Sequence, residues 1–332
     1  MGSMRRRWLL LAVILTAPYG CDNVTWGGTE VHLQGPGDQP PGEVSDAAPE
    51  EATDTAQAGL PEGPILLAGT RQGDTVTLVA VAEVHGPGLT ELPTDAQIPD
   101  FLSRFVEARL AAGTEVVLFS DGTRVGRLTI GEAHVDDRFC PPRAAVTGVV
   151  EMVPGAARAR RFLALLDSTS TERPYTAYHT YDDDYDQRVA SLSLAATEIR
   201  QVGAAWPPSV LESRADMQAF RLPESTGPGF AATFLYRDRL AVAAPEQNAY
   251  AIFVMGEPAQ NGYQAAFQWY RRVADEGKGA PRYFDHLDWN GDGTSEVLLD
   301  VFGTDRRWFA ALAQRNGTWV RTFQDPCGGT GN

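Results

Sequence analysis

The chain has 332 residues, 43% of them hydrophobic and 21% charged, with a formal net charge of -15 and a sequence pI near 4.8. That length holds enough apolar material for one or two cores. So acidic a chain repels nucleic acid and anionic lipid head groups, which excludes both as direct partners.

At the start, Arg5-Arg6-Arg7 precede the apolar run Trp8–Leu15, and small and turn residues then lead to Gly20-Cys21. The run falls well short of the roughly 20 residues that cross a bilayer, so residues 1–21 read as a secretory signal rather than a permanent span. Cys21 after Gly20 resembles the lipobox of bacterial lipoproteins, which implies cleavage before Cys21 and a lipid anchor on it. Pro18 and Tyr19 depart from the aliphatic and small residues of that pattern, and plain secretion as a periplasmic or extracellular soluble protein is the alternative. Residues 22–63 are rich in Gly, Pro, Glu, Asp and Thr and too poor in aliphatic side chains to form a core. They are predicted to be an acidic tether with a mean reach of about 35 Å.

From Pro64 the composition becomes globular, and residues 64–167 are predicted to form an α+β domain. Thr75–Val84 reads as a β-branched strand, and Pro99–Ala112 as a helix with Phe101, Phe105, Ala108 and Ala112 on one face and Gly113 after its end. Glu115–Phe119 and Arg124–Ile130 read as strands, and Asp121-Gly122 between them predicts a tight hairpin. Arg143–Val153 is another strand. Ala156–Leu166 reads as a short basic helix whose Arg158, Arg160 and Arg161 form a solvated face or an anion site. Tyr181–Asp186 is an acidic cluster before a helical pattern carrying Val189, Leu192, Ala196 and Ile199, where carboxylates suit the free amides of a helix start; a second cation site is the alternative, although consecutive aspartates lack the alternating spacing that wraps an ion.

Residues 168–332 are predicted to form a β-rich domain. Gly229–Tyr236, Ala249–Met255, Tyr263–Tyr270, Arg282–His286, Glu296–Phe302, Arg307–Ala313 and Thr318–Phe323 read as strands, with Asn316-Gly317 a hairpin turn between the last two. Ala249–Tyr270 faintly echoes Ser295–Arg315, and two such units suit a small sheet or sandwich better than a closed propeller. The chain as a whole is therefore expected to be a β-rich α+β protein, with antiparallel sheets and a few short helices. Trp269, Tyr270, Trp289, Trp308 and Trp319 concentrate in this part, as packing between sheets or as the lining of a cleft.

Asp288-Trp289-Asn290-Gly291-Asp292-Gly293-Thr294-Ser295-Glu296 carries the most specific chemistry. Oxygen side chains at the first, third and fifth positions can converge on one hard cation, Gly293 permits the sharp turn at the sixth, and a backbone carbonyl serves at the seventh. The twelfth position is Leu299 and not the glutamate that closes an EF-hand. With Glu296 ninth, the loop resembles the D-x-[DN]-x-D-G-x-x-[DE] calcium loops of FG-GAP and VCBS repeats. The resemblance implies Ca2+ bound by the side chains of Asp288, Asn290 and Asp292, the carbonyl of Thr294, and Glu296 directly or through water. A polar turn with solvated carboxylates is the other reading.

Lipidation of Cys21 would leave Cys140 and Cys327 as an even pair, expected to form a disulfide in an exported chain, with two buried free thiols as the alternative. No nucleophile elbow, zinc-protease helix motif or phosphate-cradling loop occurs, and the five histidines make no ligand spacing; His286 is expected on the surface. The expected function is a calcium-stabilised, membrane-anchored and non-enzymatic module of the bacterial cell envelope, with an envelope protein or polysaccharide as partner. The alternative is an exported hydrolase whose acids come together only in the fold.

Overall fold

The computed structural model describes residues 59–86, 88–166 and 176–328, all within one compact unit, Asp54–Asn332. The signal, Cys21 and residues 22–58 of the expected tether lie outside the described residues. The last part of that stretch does not stand off the domain: Leu60 packs on the first core, Gly63 donates its amide to Glu83 at 2.6 Å, and Arg109 binds the carbonyls of Pro61 and Gly63.

The structure is β-rich, with antiparallel sheets and few short helices, as composition and alternation require. β1 (Ile65–Gln72) pairs with both β2 (Thr75–His85) and β7 (Arg161–Leu166). Together with β4 (Glu115–Ser120), β5 (Thr123–Asp136) and β6 (Arg143–Met152) they close a six-stranded barrel in the order β1-β7-β4-β5-β6-β2. β3 (Gly88–Glu91) continues along β2 beyond the end of β6. Alternate side chains such as Ile65, Leu67, Val76 and Leu78 form one core with Phe101 and Phe105 of α1 (Phe101–Arg109). Ala108 and Ala112 are exposed, so the buried face of α1 is Phe101, Leu102 and Phe105 instead.

The intervening side chains Leu66, Val81, Phe119 and Leu165 leave the barrel on its outer face. There they pack on one face of a four-stranded sheet: β12 (Ala280–Leu287), β13 (Glu296–Phe302), β14 (Arg307–Arg315) and β15 (Thr318–Gln324). The other face of that sheet meets a second four-stranded meander, β8 (Arg214–Phe220), β9 (Gly229–Tyr236), β10 (Tyr250–Ala259) and β11 (Gly262–Arg272), through Tyr283, Leu299, Trp308, Trp319, Phe253 and Trp269. α2 (Tyr185–Gln201) covers the far side of this second sheet. The C-terminal part is thus a sandwich, and its central sheet is apolar on both faces because it has a partner on both.

Two expectations fail here. Ala156–Leu166 is not a helix: a single 3-10 turn, Pro154–Ala156, precedes β7, whose Phe162-Leu163-Ala164-Leu165-Leu166 is continuously apolar because one face lines the barrel and the other meets the central sheet. The packed face of α2 is also rotated from Val189 and Ala196 to Gln187, Ser191, Ala195, Glu198 and Ile199, and Val189 is 47% exposed. Buried Gln187 is tolerated there because its amide donates to the Gly229 carbonyl at 3.2 Å. Asp184 caps α2 in a reciprocal pair with Gln187 (2.8 and 3.0 Å), the role expected of the acidic cluster. Among the described residues no helix is long and apolar enough to cross a membrane.

Candidate functional site

The Asp288–Ser295 loop is held shut at its base, where Leu287 ending β12 pairs with Glu296 opening β13. Gly291 and Gly293 stand at φ 78° and 88°, left-handed conformations that a side chain would strain. The carboxylate of Asp288 accepts from three amides, with Gly291 at 2.7 Å and Asp292 at 3.1 Å on Oδ1 and Gly293 at 2.9 Å on Oδ2. Asn290 Oδ1 accepts from the Asp292 amide at 2.9 Å, and Asp292 Oδ1 from the Thr294 amide at 2.8 Å.

Glu296 lies beneath the loop and is 2% exposed. Its Oε2 accepts from the Trp289 amide at 3.2 Å, and its Oε1 from the side-chain amide of Asn290 at 3.0 Å. The same Asn290 Nδ2 donates at 3.0 Å to Asp292 Oδ2. A partly positive amide group therefore sits between two carboxylates, where an oxygen-liganded cation would be drawn. Burial pushes the Glu296 carboxyl up to about 8, opposed by the Trp289 amide and reinforced by the negative charges of Asp292 and Asp288. Three carboxylates and one carboxamide oxygen in a short loop, two of the carboxylates bridged by a weak donor, fit calcium in donor type and charge.

The loop borders a cleft of about 480 Å³ between the two four-stranded sheets. Thr294 lies at its edge, Phe220, Leu222, Met255 and Trp319 form its apolar part, and Glu224 and Glu257 add charge. Glu224 Oε1 accepts from the Ser295 amide at 3.2 Å, which ties this rim to the end of the loop. Of the clustered aromatics, Trp269, Trp289, Trp308 and Trp319 are all buried in the sheet packing, and Trp319 also reaches the cleft.

A second constellation had no local signature. The β4–β5 turn is wedged against β12, so that Asp121 stands beside Asp285 and His286 with one ligand atom of each within 4.8 Å of the others. His286 is fully buried, not on the surface as its neighbourhood suggested, because β12 is the strand of the central sheet that meets the barrel turn. Asp285 Oδ1 accepts from the amides of Asp121 (2.9 Å) and His286 (2.7 Å), and the Gly122 amide donates to the His286 carbonyl at 3.1 Å. Burial drives the Asp285 carboxyl far above the usual range, with Asp121 adding to the rise. Asp121 is raised by burial against the opposing Arg161 and Tyr178. Burial lowers His286 to about 4; the Arg221 backbone opposes this, yet Nε2 has no partner in hydrogen-bond geometry. Nδ1 is 2.6 Å from the Tyr283 hydroxyl. The only trace in the sequence is an Asp-His pair inside an apolar strand, and Asp121 lies 164 residues from Asp285.

Arg161, assigned with Arg158 and Arg160 to a solvated or anion-binding face, instead bonds the Tyr283 carbonyl (2.8 Å) and Gln218 (2.7 Å). Arg158 and Arg160 are exposed. Cys140 and Cys327 are brought to disulfide distance, with Cα atoms 5.8 Å apart. Compared with known proteins, the chain matches no family model, no curated protein and no solved structure.

Proposed function

We propose that the chain is a calcium-stabilised, non-enzymatic binding module of the bacterial cell envelope, exported by residues 1–21 and held at a membrane by a lipid on Cys21. The observation that carries this reading is the gathering of Asp292 and Glu296 about the Asn290 amide, over glycines that only this loop conformation needs. Calcium would be taken by Asp288, Asn290, Asp292, the Thr294 carbonyl and Glu296, and would supply the positive charge that the loop now draws from amides. The neighbouring cleft is where an envelope protein or polysaccharide would enter, and the contact from Ser295 to Glu224 makes its rim depend on the loop.

Calorimetry and thermal melts with calcium test the metal. The wild type should bind and melt at a higher temperature, since an ion that prefers the folded state stabilises it by mass action. Asp292→Ala should lose most of that increment, whereas Asp184→Ala should keep it. Equal losses, or no binding by the wild type at millimolar calcium, would reduce the loop to a turn.

A further inference from the structure

We infer that Asp121, Asp285 and His286 form a second metal site, for a divalent ion of the zinc type, which cross-links the β4–β5 turn of the barrel to β12 of the central sheet. One ligand atom from each residue already lies within 4.8 Å of the other two, on two elements far apart in sequence. Tetrahedral zinc with bonds of about 2.0–2.1 Å holds its ligands roughly 3.3 Å apart, so side-chain rotations of about an ångström would close the site.

The surroundings are arranged as they are around a metal. Both hydrogen bonds to Asp285 fall on Oδ1, which fixes the carboxylate and leaves Oδ2 to an ion. His286 is 0% exposed, its Nδ1 is engaged by Tyr283, and its Nε2 is buried and makes no hydrogen bond of normal geometry, the Arg221 backbone being the other polar group beside the ring. That nitrogen lies against the turn that carries Asp121: a Cβ built on Gly122 would stand 2.9 Å from it. With the Nδ1 proton donated to the Tyr283 oxygen, Nε2 keeps its lone pair, the tautomer that an outer hydrogen bond sets in metal-binding histidines. The nearby cation, Arg161, already spends two donors on Tyr283 and Gln218. Two carboxylates then lie close together, Asp285 fully buried and Asp121 half-buried, and a doubly charged ion balances both. One imidazole with two carboxylates favours zinc or its first-row neighbours over calcium and magnesium, and three protein ligands leave a fourth position to water.

The test uses the full folded domain, stripped of metal by chelation and then kept in millimolar calcium so that the Asp288–Glu296 loop is saturated and does not compete. Zinc is titrated by calorimetry and cobalt(II) by visible absorption, whose d–d bands report nitrogen and oxygen ligands. One equivalent should bind in excess calcium and raise the melting temperature. Asp121→Asn, on the partly exposed turn, should weaken binding at least about tenfold, the loss expected when metal-site contacts are removed. His286→Gln should in addition shift or abolish the cobalt bands; if that variant fails to fold, Asp121→Asn alone decides. Absence of zinc binding at high micromolar metal, or binding that Asp121→Asn leaves unchanged, would overturn the site. Either result is independent of whether the loop itself binds calcium.

Discussion

Burial of Glu296 makes the stability of its loop depend on pH. Its folded carboxyl holds a proton up to about pH 8, while the unfolded chain releases it near 4.5. Between those values the folded state binds more protons, so the stability that Glu296 contributes is complete below 4.5 and is lost as pH rises toward 8. In chelator, the melting temperature of the wild type should therefore fall across this window more steeply than that of Glu296→Gln. Saturating calcium should flatten the fall by stabilising the carboxylate, with proton release on binding. Identical slopes for the two proteins would disprove the assignment. Lys278, the single lysine of the chain, illustrates the opposite solution to burial. Its ammonium is fully enclosed but satisfied by Asp238 at 2.6 Å and by the carbonyls of Arg239 and Ala241 at 3.0 and 2.8 Å. It thereby fixes the connection between β9 and β10 rather than solubilising a surface.

Among the elements, the two hairpins with Asp-Gly and Asn-Gly turns form a matched pair for experiment. Asp121-Gly122 has φ values of 47° and 66°, and Asn316-Gly317 has 54° and 74°, so both centre on two left-handed residues as tight hairpins require. A Cβ at Gly317 meets nothing within 4 Å, whereas one at Gly122 meets His286 Nε2 at 2.9 Å. Gly317→Ala should cost only the backbone strain, about 1 kcal/mol. Gly122→Ala should cost clearly more, because the fully buried imidazole has no room to retreat. Denaturant melts of both variants measure the difference, and equal losses would mean that the barrel turn does not press on β12.

At the scale of the whole molecule, the barrel and the sandwich are joined by more than apolar contact. Arg143 of β6 reaches Asp325, just past β15, and also donates to the carbonyls of Ala80 and Val81, while Asp325 Oδ2 accepts from the Phe309 amide at 2.7 Å. Beside this buried pair, Cys140 before β6 meets Cys327 after β15 across 187 positions of sequence. A bond there closes the segment from β6 to the end of β15 into one long loop, worth about 5 kcal/mol in the chain-entropy model. Reduction, or replacement of both cysteines by alanine, should lower stability by an amount of that order. Peptide mapping without reductant should show one linked fragment, and two free thiols in protein isolated under oxidising conditions would refute the pairing.

What the sequence determined by itself is what neighbouring residues determine. The two hairpin turns, the Asp184 cap and the strands that flank Asp288–Glu296 follow from φ preferences and side chains that reach only a few residues along the chain. The calcium reading rests on the same short range, since all five expected ligands fall within nine positions. Tertiary structure decided the rest. Arg161–Leu166 carries no periodicity because both faces of β7 are buried, so helix and strand could not be told apart until barrel and central sheet were in place. The buried face of α2 was set by what the second sheet could accept, including a carbonyl for Gln187. Closure of β1 on β7, and the meeting of Asp121 with Asp285 and His286, join segments about a hundred residues or more apart. Such contacts leave no spacing in the sequence, because their geometry is fixed by packing between sheets and not by the path of the backbone between them.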